Sequence, residues 1–177
     1  GGDLLLCGTS MGGMLALEVV RQAPQRVKAL ALLASSARPD TPELIRLRSD
    51  AIAMFEQGRM REVLQANLAF AFDPAHAAAL APRYLAMMDR AGVGQLIAQN
   101  RALMARADQR PLLPRITCPA LVVVGQSDLL TPPEHAQEMA ALIPGARLET
   151  LSQCGHLLTW EKPQRVNQLL IDWLASL

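Results

Sequence analysis

Two short stretches of almost uninterrupted apolar residues constrain the fold of this chain more than any other feature of its sequence. They cover residues 27–34 and 120–124, and a third run, residues 4–7, lies near the start. Such runs are typical of parallel strands that helices cover on both faces, whereas half-exposed antiparallel strands alternate polar and apolar residues. The sequence therefore predicts an α/β fold with a mostly parallel sheet.

The hydrophobic periodicity changes twice and divides the chain into three segments. Residues 1–38 and residues 115–177 both combine strands with helices, and a chain of 177 residues is expected to bury them in one core. The middle segment, residues 39–114, lacks strand-like runs. It predicts an insertion of four helices, at residues 41–57, 60–72, 82–91 and 95–107.

The last segment predicts further strands and helices. Thr131 and Glu134 flank two prolines in a pattern typical of a capped helix start, so a helix is expected to run to about residue 142. A weaker strand is predicted at residues 146–151, and a final helix begins near Pro163. One apolar stripe along that helix is expected to pack on the sheet.

The composition excludes several classes of protein. With 51% hydrophobic and 19% charged residues, the chain is expected to fold rather than to remain disordered. A net charge of +1 and only 3% aromatic residues argue against nucleic acid as a partner, and no apolar stretch predicts a membrane span. Cys7, Cys118 and Cys154 form no paired pattern and are expected to be small buried side chains in a reduced, cytoplasmic protein.

A candidate nucleophile stands in the sequence Gly8-Thr9-Ser10-Met11-Gly12, between the first predicted strand and the first predicted helix. A serine on such a sharp turn has a strained backbone that exposes its hydroxyl, and the flanking glycines leave room for the turn. The N–H of Met11 would point beside that hydroxyl and stabilise negative charge on a substrate oxygen, as in an oxyanion hole. The alternative is a glycine-rich turn with an incidental serine.

A serine nucleophile needs a base, and the base needs a carboxylate that orients it. Asp128 and His156 each follow a predicted strand, at the end of the sheet where α/β proteins carry their sites. The chain order Ser10, Asp128, His156 fits a Ser-His-Asp triad on such a sheet. Asp40, which follows the second predicted strand, is the other candidate for the acid.

The remaining histidines and the pocket give weaker signals. His76 and His135 lack a spaced set of partners, so we interpret both as structural and predict no metal site. Leu129 and Leu157 stand beside the acid and the base and are expected to line the acyl pocket. The apolar residues of the inserted helices fit either that pocket or a core of their own.

The chain resembles the α/β-hydrolases, in particular the capped, cofactor-independent kind. The resemblance is carried by residues 5–13, by residues 118–128, and by residues 154–156 with the following Trp160-Glu161-Lys162-Pro163. Together these stretches span nearly the whole chain. The implied fold is a partial α/β-hydrolase fold, with the elbow strand, three later strands and a helical cap.

The resemblance also implies a role for each matching residue. Ser10 would be the nucleophile, His156 the general base and Asp128 its orienting partner, while the Met11 N–H would be one oxyanion-hole donor. Residues 39–114 would form the cap over the site. No cofactor is implied, and the expected partner is a small acyl substrate.

The start of the chain departs from the family pattern. Family members carry four strands and two helices before the elbow strand, and this chain does not. No residue can therefore be assigned as the second oxyanion-hole donor, and residues 4–7 would form an uncovered apolar sheet edge. We expect a fragment, a truncated reading frame, or one piece of an assembly in which a second chain or another copy completes the sheet.

The leading hypothesis is a serine hydrolase that cleaves a carboxylic ester through an acyl-enzyme. A serine argues against the dehalogenase and epoxide-hydrolase branches of the fold, because those reactions need a carboxylate nucleophile. Thioesters, enol-lactones and carbon–carbon bonds of dienol-type diketones stay open as substrates. Two alternatives are a non-catalytic remnant that binds a ligand or partner, and a helical interaction module built on the insertion.

Overall fold

The computed structural model describes residues 2–177. Its centre is a four-stranded sheet in the order β1-β2-β3-β4, and every neighbouring pair of strands is parallel. The strands are β1 (Leu4–Thr9), β2 (Val27–Leu33), β3 (Ala120–Gly125) and β4 (Arg147–Leu151). The predicted α/β class and parallel sheet are confirmed.

The helices alternate with the strands at both ends of the chain and follow one another in the middle. They are α1 (Met11–Gln22), α2 (Pro42–Glu56), α3 (Met60–Ala71), α4 (Pro74–Met104), α5 (Pro133–Leu142), α6 (Leu158–Glu161) and α7 (Pro163–Ala175). Two short 3-10 helices, Pro24–Arg26 and Arg110–Arg115, precede β2 and β3.

Helices cover the two central strands on both faces. On one face, α1 and α5 pack on the sheet through Leu17 and Met139, which have no exposed surface. On the other face, α7 packs through Val166, Leu169 and Trp173. Because β2 and β3 lie between these layers, nearly every position in both strands is buried and apolar.

The strand β1 lies at one edge of the sheet. Leu5 is 63% exposed there, while Leu6 points to the opposite face and packs on the α1 side of the core. Cys7 is also exposed, so the prediction of a buried thiol is wrong at this position because its face of β1 is uncovered. The same prediction is right for Cys154, and Cys118 is half-buried.

The helices α2, α3 and α4 pack against one another around a separate apolar cluster. Its buried members include Phe55, Leu64 and Leu96. The rings of Phe72 and Tyr84 meet edge to face, with their centroids 5.8 Å apart. Most of the apolar side chains of the insertion therefore form a core of their own.

The helix α4 is longer than the sequence pattern predicts. It begins at Pro74, where the side chain of Asp73 caps the helix by accepting a hydrogen bond from the N–H of Ala75. Pro82, expected to start a helix, lies inside it. The predicted break between two helices is present as a kink at Gly92, whose φ is 77°. The pair Asp73-Pro74 is itself a strong start signal, which outweighs a proline one turn or more later.

Candidate active site

The turn between β1 and α1 holds Ser10 in a conformation that few residues adopt. Its φ is 55° and its ψ is −121°, and its N–H donates to the carbonyl of Leu33 in β2 at 2.8 Å. Such a backbone is strained, and the surrounding structure must hold it in place. A side chain at Gly8 would lie 2.3 Å from the backbone of Gly12, so position 8 requires glycine. A side chain at Gly12 would have no described atom within 4 Å. The prediction that the turn needs glycine at position 12 is therefore not supported.

Asp128 lies in the loop after β3 and is almost completely buried. One carboxylate oxygen accepts hydrogen bonds from the N–H groups of Leu130 and Thr131, both at 2.9 Å. The other oxygen accepts from the hydroxyl of Thr131, also at 2.9 Å. These three donors fix the orientation of the carboxylate toward the loop that follows β4.

His156 joins the two other candidate residues. Its Nδ1 lies 2.9 Å from one carboxylate oxygen of Asp128 and 3.0 Å from the other. A carboxylate only accepts, so Nδ1 carries the proton and Nε2 is the acceptor. Nε2 lies 2.8 Å from the hydroxyl oxygen of Ser10. The structure thus brings Ser10, His156 and Asp128 from three separate loops into one continuous chain of hydrogen bonds.

Thr131 also belongs to this site, although the sequence pattern did not indicate it. Its hydroxyl lies between Asp128 and His156, 3.3 Å from the Nδ1 of the histidine. The expectation that Thr131 caps α5 is wrong, because Pro132 occupies the cap position and the hydroxyl is used by Asp128 instead. The signal available in the sequence was an aspartate followed after two and three residues by N–H groups that it can bind, as in an Asx-turn.

The second candidate for the acid lies elsewhere. Asp40 pairs with Arg48 at 2.5 Å and faces Arg106 at 3.8 Å, and its side chain is 4% exposed. Its carboxylate is therefore engaged by two arginines rather than by His156. Asp128, by contrast, lies within hydrogen-bond distance of His156.

The other two histidines lie outside the Ser10 region. His76 contacts the carboxylate of Glu161 at 3.1 Å. His135 is half-buried in α5, and burial lowers its pKa. Among residues 2–177, no three His, Cys, Asp or Glu side chains cluster as metal ligands.

The predicted oxyanion and pocket residues lie in different surroundings. Met11 is the first residue of α1, and its N–H has no acceptor among the described residues 2–177. Leu129 is 59% exposed beside Asp128. Leu157 packs against the apolar cluster of α2–α4, and its N–H donates to the carbonyl of Ala71 at 3.2 Å. The roles assigned to these residues stay predictions.

A cavity of about 480 Å³ lies between α1 on one side and the end of α4 with the segment that follows it on the other. Met11 and Met14 line it from α1, and Leu103, Arg106 and Leu112 line it from the other side. The side chains of the Ser-His-Asp chain do not reach it. Met11, the predicted oxyanion-hole donor, is the residue at which the cavity adjoins the nucleophile turn.

Comparison with known proteins places the chain in a family. Residues 2–163 match the family profile described as alpha/beta hydrolase fold. The chain belongs to this family.

None of the helices in the described part of the chain is both long and apolar enough to cross a membrane.

The curated relatives include hydrolases of several kinds. The 2-hydroxy-6-oxo-6-phenylhexa-2,4-dienoate hydrolase of Comamonas testosteroni is 31% identical over 181 residues, which cover 97% of this chain and 62% of the relative. The pimeloyl-[acyl-carrier protein] methyl ester esterase of Neisseria meningitidis serogroup B is 29% identical over 160 residues, covering 85% of this chain and 61% of the relative. The chain thus spans less than two thirds of the length of these relatives.

Solved structures give the same fold. A thermophilic esterase from Thermogutta terrifontis superposes with a TM-score of 0.93 at 29% identity, covering 99% of this chain and 65% of that one. The enol-lactonase from Burkholderia xenovorans LB400 superposes with a TM-score of 0.86 at 26% identity, covering 98% of this chain and 66% of that one. The partial α/β-hydrolase fold expected from the sequence is confirmed.

Proposed function

We propose that this chain carries the catalytic triad of a serine hydrolase, with Ser10 as nucleophile, His156 as general base and Asp128 as its orienting acid. The observation that carries the proposal is the continuous hydrogen-bonded chain from the Ser10 hydroxyl through both ring nitrogens of His156, at 2.8 Å and 2.9 Å. Nucleophile, base and orienting group in such contact are the signature of an activated serine.

The first half of the reaction forms an acyl-enzyme. Nε2 of His156 takes the hydroxyl proton as the oxygen of Ser10 attacks the carbonyl carbon of the substrate. Negative charge then develops on the carbonyl oxygen, and the N–H of Met11 at the start of α1 stabilises it. The protonated His156, stabilised by Asp128, passes its proton to the leaving alcohol as the ester bond breaks.

The second half of the reaction releases the acid. His156 takes a proton from a water molecule, whose oxygen attacks the acyl carbon attached to Ser10. The tetrahedral intermediate collapses, the ester bond to Ser10 breaks, and His156 returns the proton to the serine oxygen. The enzyme is regenerated with no cofactor consumed.

Carboxylic esters are the substrate class we propose. A methyl ester esterase and an esterase structure are among the similar proteins, and ester cleavage is the simplest use of an acyl-enzyme. The similar proteins also include an enol-lactonase and a hydrolase of a dienoate, so lactones and carbon–carbon bonds beside a carbonyl are the alternatives to test. All of these substrates present a carbonyl carbon to the serine.

The surroundings of the site complete the proposal. We assign residues 39–114 as a cap, because α2, α3 and α4 are inserted between β2 and β3 and share a core of their own. We place the protein in the cytoplasm, because Cys7, Cys118 and Cys154 are all free thiols.

Hydrolysis of p-nitrophenyl butyrate tests this function. The wild-type chain is expected to release p-nitrophenol, Ser10→Ala is expected to abolish the release, and Ser49→Ala is the matched control because Ser49 is exposed on α2. Release that persists in Ser10→Ala contradicts the assignment. An absence of release from every variant supports the non-catalytic alternative.

A further inference from the structure

A buried carboxylate outside the proposed triad holds the backbone beside His156. The side chain of Glu161, in α6, has no exposed surface. Both of its oxygens lie 3.0 Å from the N–H of Gly155, the residue that precedes His156. One of them also accepts from the N–H of Asp73 at 2.9 Å. Glu161 therefore connects the histidine loop to the start of α4.

A second carboxylate makes the matching connection on the acid side. One oxygen of Asp73 caps α4, and the other accepts a hydrogen bond from the hydroxyl of Ser127 at 2.7 Å. Ser127 directly precedes Asp128 in the chain. This hydrogen bond lowers the pKa of Asp73 and so favours its ionised form. The two carboxylates thus reach the residue before the proposed base and the residue before the proposed acid.

The cap backbone also lies directly against the histidine loop. A side chain at Gly155 would come within 2.5 Å of the Asp73 nitrogen and 2.6 Å of the Phe72 carbonyl carbon, so only glycine allows this approach. On the other side of His156, the N–H of Leu157 donates to the carbonyl of Ala71. The residues before and after His156 both contact the end of α3 or the segment that joins it to α4.

Simple packing does not account for this arrangement. Burying a carboxylate is unfavourable unless donors surround it, and each of these carboxylates is met by backbone or side-chain donors of the segments it joins. An apolar side chain in place of Glu161 would leave the N–H groups of Gly155 and Asp73 without their acceptor. The contacts are directional, and directional contacts fix a geometry.

We propose that Glu161 and Asp73 are positioning residues, which hold the His156 and Asp128 loops in register with the cap so that Nε2 of His156 stays within reach of Ser10. The inference rests on the proposed function of the triad. Neither carboxylate lies among the reacting groups, so their loss acts on the placement of His156. We therefore expect the loss of either carboxylate to lower kcat and to leave KM nearly unchanged.

Activity per active site is the first test. Labelling with a fluorophosphonate to completion counts the competent serines, and Vmax for p-nitrophenyl butyrate is divided by the concentration of labelled sites to give kcat per site. Glu161→Ala and Asp73→Ala are expected to lower kcat per labelled site at least about tenfold, because small misplacements of reacting groups cost up to about a hundredfold. KM is expected to stay within about twofold of wild type, since no substrate contact is lost.

Conservative variants separate positioning from folding. Asp73→Asn keeps an acceptor for Ala75 and a polar contact for Ser127, so it is expected to restore kcat per site to within about threefold of wild type. Glu62→Gln is the matched control, because Glu62 is an exposed cap residue whose carboxylate pairs with Arg59. A merely structural role would reduce the number of labelled sites and leave kcat per site unchanged, and that result overturns the proposal.

A second readout needs no substrate. The low-field NMR signal of the His156 Nδ1 proton, assigned by its loss in His156→Ala, reports the bond to Asp128. It is expected to broaden or vanish in Asp73→Ala and Ser127→Ala, which remain available if Glu161→Ala fails to fold, and to persist in Glu62→Gln. A wild-type signal in these variants contradicts the positioning role. Turnover that does not depend on Ser10 instead contradicts the proposed function, whatever the NMR signal does.

Discussion

The hydroxyl of Thr131 donates a hydrogen bond to the carboxylate of Asp128 at 2.9 Å. The same carboxylate meets the Nδ1 of His156, so the threonine hydroxyl holds the oxygen of the proposed acid that the backbone N–H groups do not bind. A hydroxyl buried at this point removes freedom from the carboxylate before any substrate binds. Thr131 is therefore part of the machinery that keeps His156 oriented.

Replacing that hydroxyl with a methyl group tests its contribution. Thr131→Val has almost the same shape, and it is expected to lower kcat/KM at least about tenfold, because hydrogen bonds to charged groups contribute about 1.5–3 kcal/mol. Thr131→Ser retains the hydroxyl and is expected to stay near wild type. Steady-state kinetics of the two variants decides, and equal activity in both contradicts the role.

The assignment of Asp128 over Asp40 can be tested by two amide substitutions. Asp128→Asn is expected to reduce kcat about ten-thousandfold, as loss of the orienting carboxylate does in a well-studied serine protease. Asp40→Asn breaks ion pairs with Arg48 and Arg106 that do not touch His156, and a loss below about tenfold is expected. Comparison of kcat for the two variants is the measurement. The opposite order of effects would make Asp40 the acid.

Several features of this molecule could be predicted from its sequence, for a common physical reason. Ser10, Asp128 and His156 each follow a strand of a parallel sheet, and the carboxyl ends of such strands meet at one edge. Local apolar runs and chain order therefore suffice to predict that these three residues lie at the same edge of the sheet. The strands and most helices are local patterns of the same kind.

The residues that support the site could not be found in this way. Thr131 stands in a sequence that equally fits a helix cap, and only the folded loop shows which partner takes its hydroxyl. Glu161 binds the backbone of Asp73, 88 residues away in the chain. No periodicity carries information about a contact of that separation. Polar contacts between residues so far apart in the chain can be identified only in the folded structure.

Two glycines of the nucleophile turn are expected to differ in their tolerance of alanine. Gly8→Ala places a side chain 2.3 Å from the backbone of Gly12, and it is expected to lower the free energy of unfolding by at least about 2 kcal/mol. Gly12 lies in α1, and the added methyl group of Gly12→Ala would have no described neighbouring atom within 4 Å. Because alanine is the better helix former, no loss of stability is expected. Urea unfolding measures both. Equal destabilisation by the two variants contradicts the geometry of the turn.

The thiols are expected to differ in reactivity. Burial, with the nearby charge of Glu161, raises the pKa of Cys154 to about 12, so its reactive thiolate is scarce at pH 8. Native protein treated with iodoacetamide is expected to be alkylated at the exposed Cys7 and to be protected at Cys154. Peptide mass spectrometry measures this, with denatured protein as the control. Early alkylation of Cys154 would contradict its burial.

The high pKa of Cys154 also predicts how stability depends on pH. The unfolded chain loses the thiol proton near its ordinary pKa of 9.0, whereas the folded protein retains it until about 12. Stability is therefore expected to fall as pH rises through this range. Cys154→Ser or Cys154→Ala is expected to remove this part of the pH dependence, as measured by urea unfolding at several pH values.

The uncovered edge of the sheet predicts self-association. Leu5 on β1 and Leu47 on α2 are both 63% exposed, but an edge strand such as β1, unlike a helix, also presents unpaired backbone groups that a further strand can bind. Leu5→Lys is expected to reduce association, and Leu47→Lys is expected to leave it unchanged. Size-exclusion chromatography with light scattering measures the mass. A monomeric wild-type chain contradicts this prediction.

Labelling of Ser10 tests the central claim most directly, because a fluorophosphonate reacts only with a serine that a base activates. Intact-mass spectrometry of the wild-type chain is expected to show one adduct, which peptide mapping places on Ser10. Ser10→Ala is expected to show none, and His156→Ala is expected to react far more slowly. An adduct of the same mass and rate in either variant would contradict the triad.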